Sequence, residues 1–111
     1  MEVMTDRREV AQNTVSANVL AGKAHEFLSR PSIVRLFSTA EIINIFATLQ
    51  VGSKSFLQDQ EVSSANRFPI TPDDFVVEAA GMAGDRILLT YRNSGAGAGD
   101  AFTRVEIQPV A

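Results

Sequence analysis

From about Ile33 to Val110 the chain is a series of short runs in which apolar and polar residues alternate, each closed by a turn bearing Gly or Asp. A period of two places successive side chains on opposite faces of a strand, so this pattern demands half-buried β-structure. The longest run is the clearest. Ile43, Ile45, Ala47, Leu49 and Val51 alternate with Ile42, Asn44, Phe46, Thr48 and Gln50, and several of these residues are β-branched. Residues 42–51 are therefore expected as a strand, although Ser38-Thr39-Ala40-Glu41 just before them has the form of a helix capping box. That tetrapeptide is assigned to a turn.

The remaining elements follow by the same rule. Ile33–Phe37 forms a strand with Val34 and Leu36 on one face. Gly52-Ser53-Lys54 makes a hairpin turn, and Ser55–Val62 returns as a more polar strand. In the connection 63–72, Pro69 and Pro72 hold the backbone extended, which suits a crossing between two sheets. Thr71-Pro72-Asp73-Asp74 can start a helix closed by Gly81. Phe75-Val76-Val77-Glu78-Ala79 favours a strand over the same residues, and the strand is preferred. Arg86–Arg92 and Phe102–Val110 are further strands, joined by the Gly/Ala-rich stretch Asn93–Asp100, expected as a flexible tip.

Two segments are less regular. Residues 1–14 are mostly polar or charged, with Val3, Met4 and Val10 the only large apolar groups. They are expected as an N-terminal arm, either frayed or ordered by a partner. In 15–28, Val19, Leu20, Ala24, Phe27 and Leu28 recur at helical spacing, while Ala21-Gly22 sits where a turn would join two short strands; the strand reading is preferred. The whole then reads as all-β: an arm over 1–14, and over 15–111 one small β-sandwich or jelly-roll-like barrel of six to eight strands. Its core is expected to contain Val34, Leu36, Ile43, Ile45, Leu49, Val77, Ile87, Leu89, Val105 and Ile107.

Composition bears on function mainly by exclusion. The chain has 111 residues, no Cys, no Trp and one His. A domain of this length buries roughly 65% of its unfolded surface, enough for one core without a metal or disulfide staple. Zero Cys removes disulfides, thiolate nucleophiles and Cys-ligated zinc. The net charge is −3 and the ten Lys and Arg are scattered, so nucleic acid is not an expected partner. No run reaches the ~20 apolar residues of a membrane-spanning helix, and no membrane partner is expected. The N-terminal residues contain no apolar core of a secretory leader.

Nor does any cluster announce catalysis. His25 is isolated from a nucleophile-elbow Ser, and no catalytic residue is assigned. Asp73-Asp74 with Glu78, and Asp59 with Glu61, offer oxygen ligands of the kind Ca²⁺ takes, but without EF-hand spacing; they read as solvated acidic turns, and no metal or cofactor is expected. Gly95-Ala96-Gly97-Ala98-Gly99 lacks the Gly-Lys-Ser/Thr ending of a phosphate loop. Pro69-x-x-Pro72 lacks basic flanks for a polyproline ligand. What remains is surface. Phe46 and Phe102 fall on the otherwise polar sides of their strands. With Leu88 and Ile42 they form either a subunit-contact patch or a second buried face. Arg7 and Arg8 of the arm complete the candidate interface.

The polar N-terminal segment, the strand pattern, and three stretches give the chain a family likeness. The stretches are Asn66-Arg67-Phe68-Pro69-Ile70-Thr71-Pro72-Asp73-Asp74-Phe75, the run from Ala83 to Asn93, and Val105-Glu106-Ile107-Gln108-Pro109-Val110. In general style it resembles small β-structured virion proteins of tailed bacteriophages: head decoration, cement or minor capsid proteins. The resemblance implies a protein without catalytic activity that self-associates, as a trimer in many such cases. It would bind the major capsid protein or another virion protein at junctions of the shell, an arm reaching a neighbour. It also implies assembly in the host cytoplasm and residence on the virion. The competing reading is a small carbohydrate- or receptor-binding module on a tail or cell surface. That reading wants exposed aromatics in a groove, and beyond Phe the chain has only Tyr91 to offer.

Overall fold

The computed structural model describes residues 1–71 and 73–110, and it is all-β, with no α-helix among them. Eight strands run in order: β1 (Glu2–Val10), β2 (Thr14–Val15), β3 (Ser32–Ala40), β4 (Ile45–Val51), β5 (Lys54–Glu61), β6 (Phe75–Gly81), β7 (Ile87–Asn93) and β8 (Gly99–Pro109). They form two four-stranded antiparallel sheets, β1-β8-β3-β6 and β2-β7-β4-β5. The order has a simple logic. β1 pairs with β8, β2 with β7, β3 with β6 and β4 with β5, so the chain is one long hairpin rolled up on itself. The β3–β8 and β4–β7 pairings then join alternate pairs into the two sheets. This is the strand order of a jelly roll.

Alternation builds the interior as expected. Val34 and Leu36 from β3, Ile45, Ala47, Leu49 and Val51 from β4, Ile87, Leu89 and Tyr91 from β7, and Val105 and Ile107 from β8 are all buried between the sheets. The β4–β5 hairpin turns at Gly52-Ser53, between the paired Val51 and Lys54. The positive φ of +62° falls on Gly52, the first central residue, where a type II′ turn needs it.

Several boundaries differ from the sequence reading, each for a local reason. Residues 1–14 are not an arm: Glu2–Val10 pairs along its whole length with β8, from Glu2 opposite Ile107 to Val10 opposite Gly99. An edge strand needs only backbone partners on one side, so a polar sequence suffices. Residues 38–41 are not a turn at that point, because β3 runs through to Ala40; the chain reverses at 41–44 instead, with Asn44 at φ +66°. Ile43 consequently lies in that reversal at 64% exposure and leaves the expected core. Val77 is only partly buried, packed against the core from the outer strand β6. Residues 73–81 form no helix, β6 taking Phe75–Gly81 as the strand reading required; Pro72, the proposed first helical residue, lies outside the described residues.

Residues 15–28 are neither helix nor strand beyond Val15. They instead run along the open side of β7 and satisfy it piecemeal. The Ser16 N–H donates to Tyr91 O at 2.8 Å, the Val19 N–H to Leu89 O at 2.9 Å, and the Ile87 N–H to Glu26 O at 2.8 Å. The Asn18 side chain fills the gap. Its Oδ1 accepts from the Leu89 N–H at 3.0 Å and its Nδ2 donates to Ile87 O at 3.1 Å, both as a neighbouring strand would. Val19 and Leu20 are thereby pressed fully into the core. The Glu26 carboxylate takes the Gly22 N–H at 2.9 Å and Arg86 Nε at 2.6 Å, and these two bonds, the first the larger, hold it below the usual carboxylate range.

Candidate protein-interaction surface

The crossing from β5 to β6 lays Arg67 and Phe68 against the outer side of the sheet β1-β8-β3-β6. Ala65 N–H donates to Ala40 O at 2.8 Å and Ala40 N–H to Ser63 O at 3.0 Å, fixing the start of the crossing. Thr39 Oγ1 donates to Arg67 O. Phe68 then covers Phe102 edge-on, with ring centroids 5.2 Å apart. From the other side the Arg7 guanidinium lies 5.2 Å from the Phe102 centroid, held there by Asp100 at 2.7 Å. At the end of the crossing Asp74 accepts from the Ile70 N–H at 2.8 Å and pairs with Arg67 at 3.1 Å. Phe75 stacks edge-on against Phe37 at 5.7 Å.

The covering groups are themselves only half covered. Phe68, Ile70 and Phe75 are 47%, 48% and 48% exposed, and Val3 on β1 is 40% exposed. Thr5, Phe68, Pro69 and Arg104 enclose a shallow apolar cleft of about 270 Å³. Aromatic and aliphatic groups at half exposure, beside the paired charges Arg35–Glu78 at 2.9 Å and Arg104–Glu106 at 2.9 Å, have the make-up of a protein contact surface. The sequence patterns missed these residues because the crossing has no periodicity. The available signal was Phe68 and Ile70 in a proline-bearing connection, with Phe75 just after it.

The expected single patch does not form. Phe102 lies on the outer side of one sheet, only 3% exposed beneath Phe68 and Arg7. Phe46 and Leu88 lie on the outer side of the other sheet, opposite Arg92 and Gln50 in the β4–β7 register, and are half-buried. Ile42 is at one end of the sandwich, against Gly95–Ala98. Arg8 points to the inner side of β1, 3.6 Å from Asp6. Phe46 and Phe102 thus face away from each other across the full thickness of the sandwich. The two expected alternatives divide between them: Phe102 is a buried second face, and Phe46 a partly exposed ring.

Around Phe46 the second sheet carries its own organised group. The Arg92 guanidinium sits 4.4 Å over the Phe46 ring and grips Asp59 with two bonds of 2.9 Å. The Arg92 bond holds the Asp59 carboxyl below its ordinary value and raises the Arg92 guanidinium. Asp59 is thus committed to an arginine, Asp74 to Arg67 and Ile70, and Glu61 Oε2 to the Asn44 N–H at 3.0 Å. Among the described residues no three metal-binding side chains gather. His25 stands 3.2 Å from Glu2 in a small cleft with Phe27, Ser29, Arg30 and Ser32.

Tyr91, the one tyrosine, is fully buried. Compared with protein-family models, with curated proteins and with solved structures, the chain matches none.

Proposed function

We propose that the protein is a structural subunit that associates with copies of itself and binds between subunits of a larger protein shell, as decoration and cement proteins of tailed bacteriophages do. The observation that carries this reading is the surface made by Phe68, Ile70 and Phe75, where the crossing and the start of β6 present apolar groups at half exposure. An apolar surface of this kind is stabilised by burial against a partner, and a symmetric oligomer supplies one from identical copies. The jelly-roll strand order supports it by analogy, since capsid domains use that plan, but lectins use it too and the plan alone does not choose.

The glycan-binding rival is less well supported: the chain has no Trp, its one Tyr, Tyr91, is buried, and only Phe rings such as Phe68 are left to stack on a sugar.

The test is mass in solution. Sedimentation equilibrium of the full chain at high concentration is expected to give an oligomer, and Ile70→Ser with Phe75→Ser to shift it to a smaller species with the strand spectrum unchanged. A chain that stays monomeric at every concentration, or that is captured by a glycan array, overturns the reading.

A further inference from the structure

Among the described residues β1 is an edge strand hydrogen-bonded only to β8. Its inward positions are Glu2, Met4, Asp6, Arg8 and Val10, and only Met4 and Val10 are buried apolar groups. Asp6 and Arg8 stand 3.6 Å apart on the inward side of β1, the Asp6 side chain largely covered and that of Arg8 partly exposed. Asp6 Oδ2 is buried and accepts no hydrogen bond among the described residues. Charges turned inward on an edge strand weaken its hold on the core and discourage indiscriminate pairing of its free side. Past Val10 the chain leaves through Ala11, Gln12 and Asn13, all exposed, with Asn13 in the left-handed region at φ +57°. The two residues of β2 that follow are exposed as well. Of the nine residues of β1 only Met4 and Val10 are buried, yet the seat of the strand is specific. It places Arg7 on Asp100 at 2.7 Å, Asp6 on Lys23 at 3.5 Å and Glu2 on His25 at 3.2 Å.

We infer that β1 is an exchangeable strand: β1 of one copy seats on β8 of a second copy, whose own β1 returns the exchange, giving a two-fold strand-swapped dimer. The occupant is a second copy because the seat is complementary to the β1 sequence itself: Asp100 and Lys23 carry charges opposite to those of Arg7 and Asp6, and His25 meets Glu2 at the start of the strand. The closed chain and the swapped dimer make the same β1–β8 contacts. They differ only in the link 11–13 and in concentration, the condition under which swapping is cheap. The inference concerns β1 alone and stands whether or not the protein binds a shell.

Thr5 and Arg104 are opposite each other in the β1–β8 register and both face outward, and the chain has no native Cys. The experiment mixes Thr5→Cys chains with Arg104→Cys chains at high concentration, incubates them, and oxidises. Each chain carries one thiol, so a disulfide between the two kinds forms efficiently only if β1 of one lies on β8 of the other. The mixed dimer is expected to exceed the like-with-like dimers by about tenfold; a statistical distribution overturns the inference. The double variant in one chain, oxidised at low concentration, establishes that the geometry admits the bond. Val3→Cys with Glu106→Cys repeats the mixing at a second opposed pair, should either first variant fold poorly. Adding Ile70→Ser and Phe75→Ser to the Cys chains separates this from the proposed function: the mixed disulfide is expected to persist where face-to-face association is lost. Its loss together with that association overturns the exchange.

Discussion

The hydroxyl of Tyr91 crosses the sandwich and stands 2.7 Å from Ser38 Oγ, joining a strand of one sheet to a strand of the other through the core. The same hydroxyl lies 2.5 Å from Thr103 Oγ1, and Ser38 donates onward to Phe102 O at 3.0 Å. A phenol that deep, with both its neighbours satisfied through it, is a fixed point between the two sheets. Tyr91→Phe leaves the ring packing and removes the bridge. The expected loss is about 1–2 kcal/mol in denaturant melts, because the Thr103 hydroxyl is left buried without that partner.

The same group gives stability an alkaline limit. Burial, the largest cause, pushes the Tyr91 hydroxyl from 10.0 up to about 12, and the negative Asp6 adds to it. Below the unfolded value both states keep the proton, and the contribution is fully present. Above it the unfolded chain ionises first, so stability falls by about 1.4 kcal/mol per pH unit until the folded value is passed. With one tyrosine in the chain, tyrosinate absorbance reads the group directly. Its midpoint is expected near 12 folded and near 10 in denaturant. Tyr91→Phe is expected to flatten the stability slope between those values.

Asn18 does the work of a missing strand neighbour for β7, and Asn18→Ala is expected to show it. The substitution strips partners from the Leu89 N–H and from Ile87 O, both beside the core. The expected cost is about 1–3 kcal/mol, typical of leaving a buried backbone group unpaired. Hydrogen exchange at the Leu89 amide is expected to accelerate more than at amides of β3. Unchanged exchange there would remove Asn18 from this role.

The Gly/Ala tip is not the free hairpin end the sequence implies. Asn93 is buried and holds it: Nδ2 donates to Gly97 O at 2.8 Å and to Val10 O at 2.9 Å, and Oδ1 accepts from the Gly95 N–H at 2.8 Å. At Gly99 a Cβ would come within 2.5 Å of Ile42 Cγ1. Gly99→Ala is therefore expected to destabilise by about 1–3 kcal/mol through overpacking. Ala96→Ser or Ala98→Ser, at exposed positions, is expected to change the melting temperature little. Equal tolerance at all three positions in thermal melts would show the tip to be loose after all.

Ile43 and Leu89 separate the two readings of strand register. Leu89 is fully buried, and Leu89→Ala is expected to cost about 2–5 kcal/mol. Ile43 is 64% exposed, and Ile43→Ala is expected to stay within about 0.5 kcal/mol of the parent in urea melts. Comparable losses at both would return Ile43 to the core.

Part of this architecture is legible in the residues themselves. Alternation alone located β4 and β7 and the inward rows of β3 and β8, because a sheet buried on one face imposes a period of two on its sequence. The candidate surface was legible only in part. Phe46 and Phe102 were found as outward residues, since parity along a strand is a local property. Whether an outward ring stays exposed is not local: Phe102 is covered by Phe68, brought in from a connection more than thirty residues earlier.

The sequence by itself determined the all-β class, the crossing near Pro69, the hairpin at Gly52 and most of the apolar core, each through short-range stereochemistry and the two-residue period. The tertiary structure alone decided three things. It made β1 a strand, because the edge of β8 supplied backbone partners that polar side chains do not prevent. It left 16–28 irregular, because Asn18 and Glu26 could satisfy β7 without continuing the ladder. It also set Phe46 and Phe102 on opposite sides of the molecule. Facing is read along one strand, but which sheet that strand joins depends on the rolling of the whole hairpin.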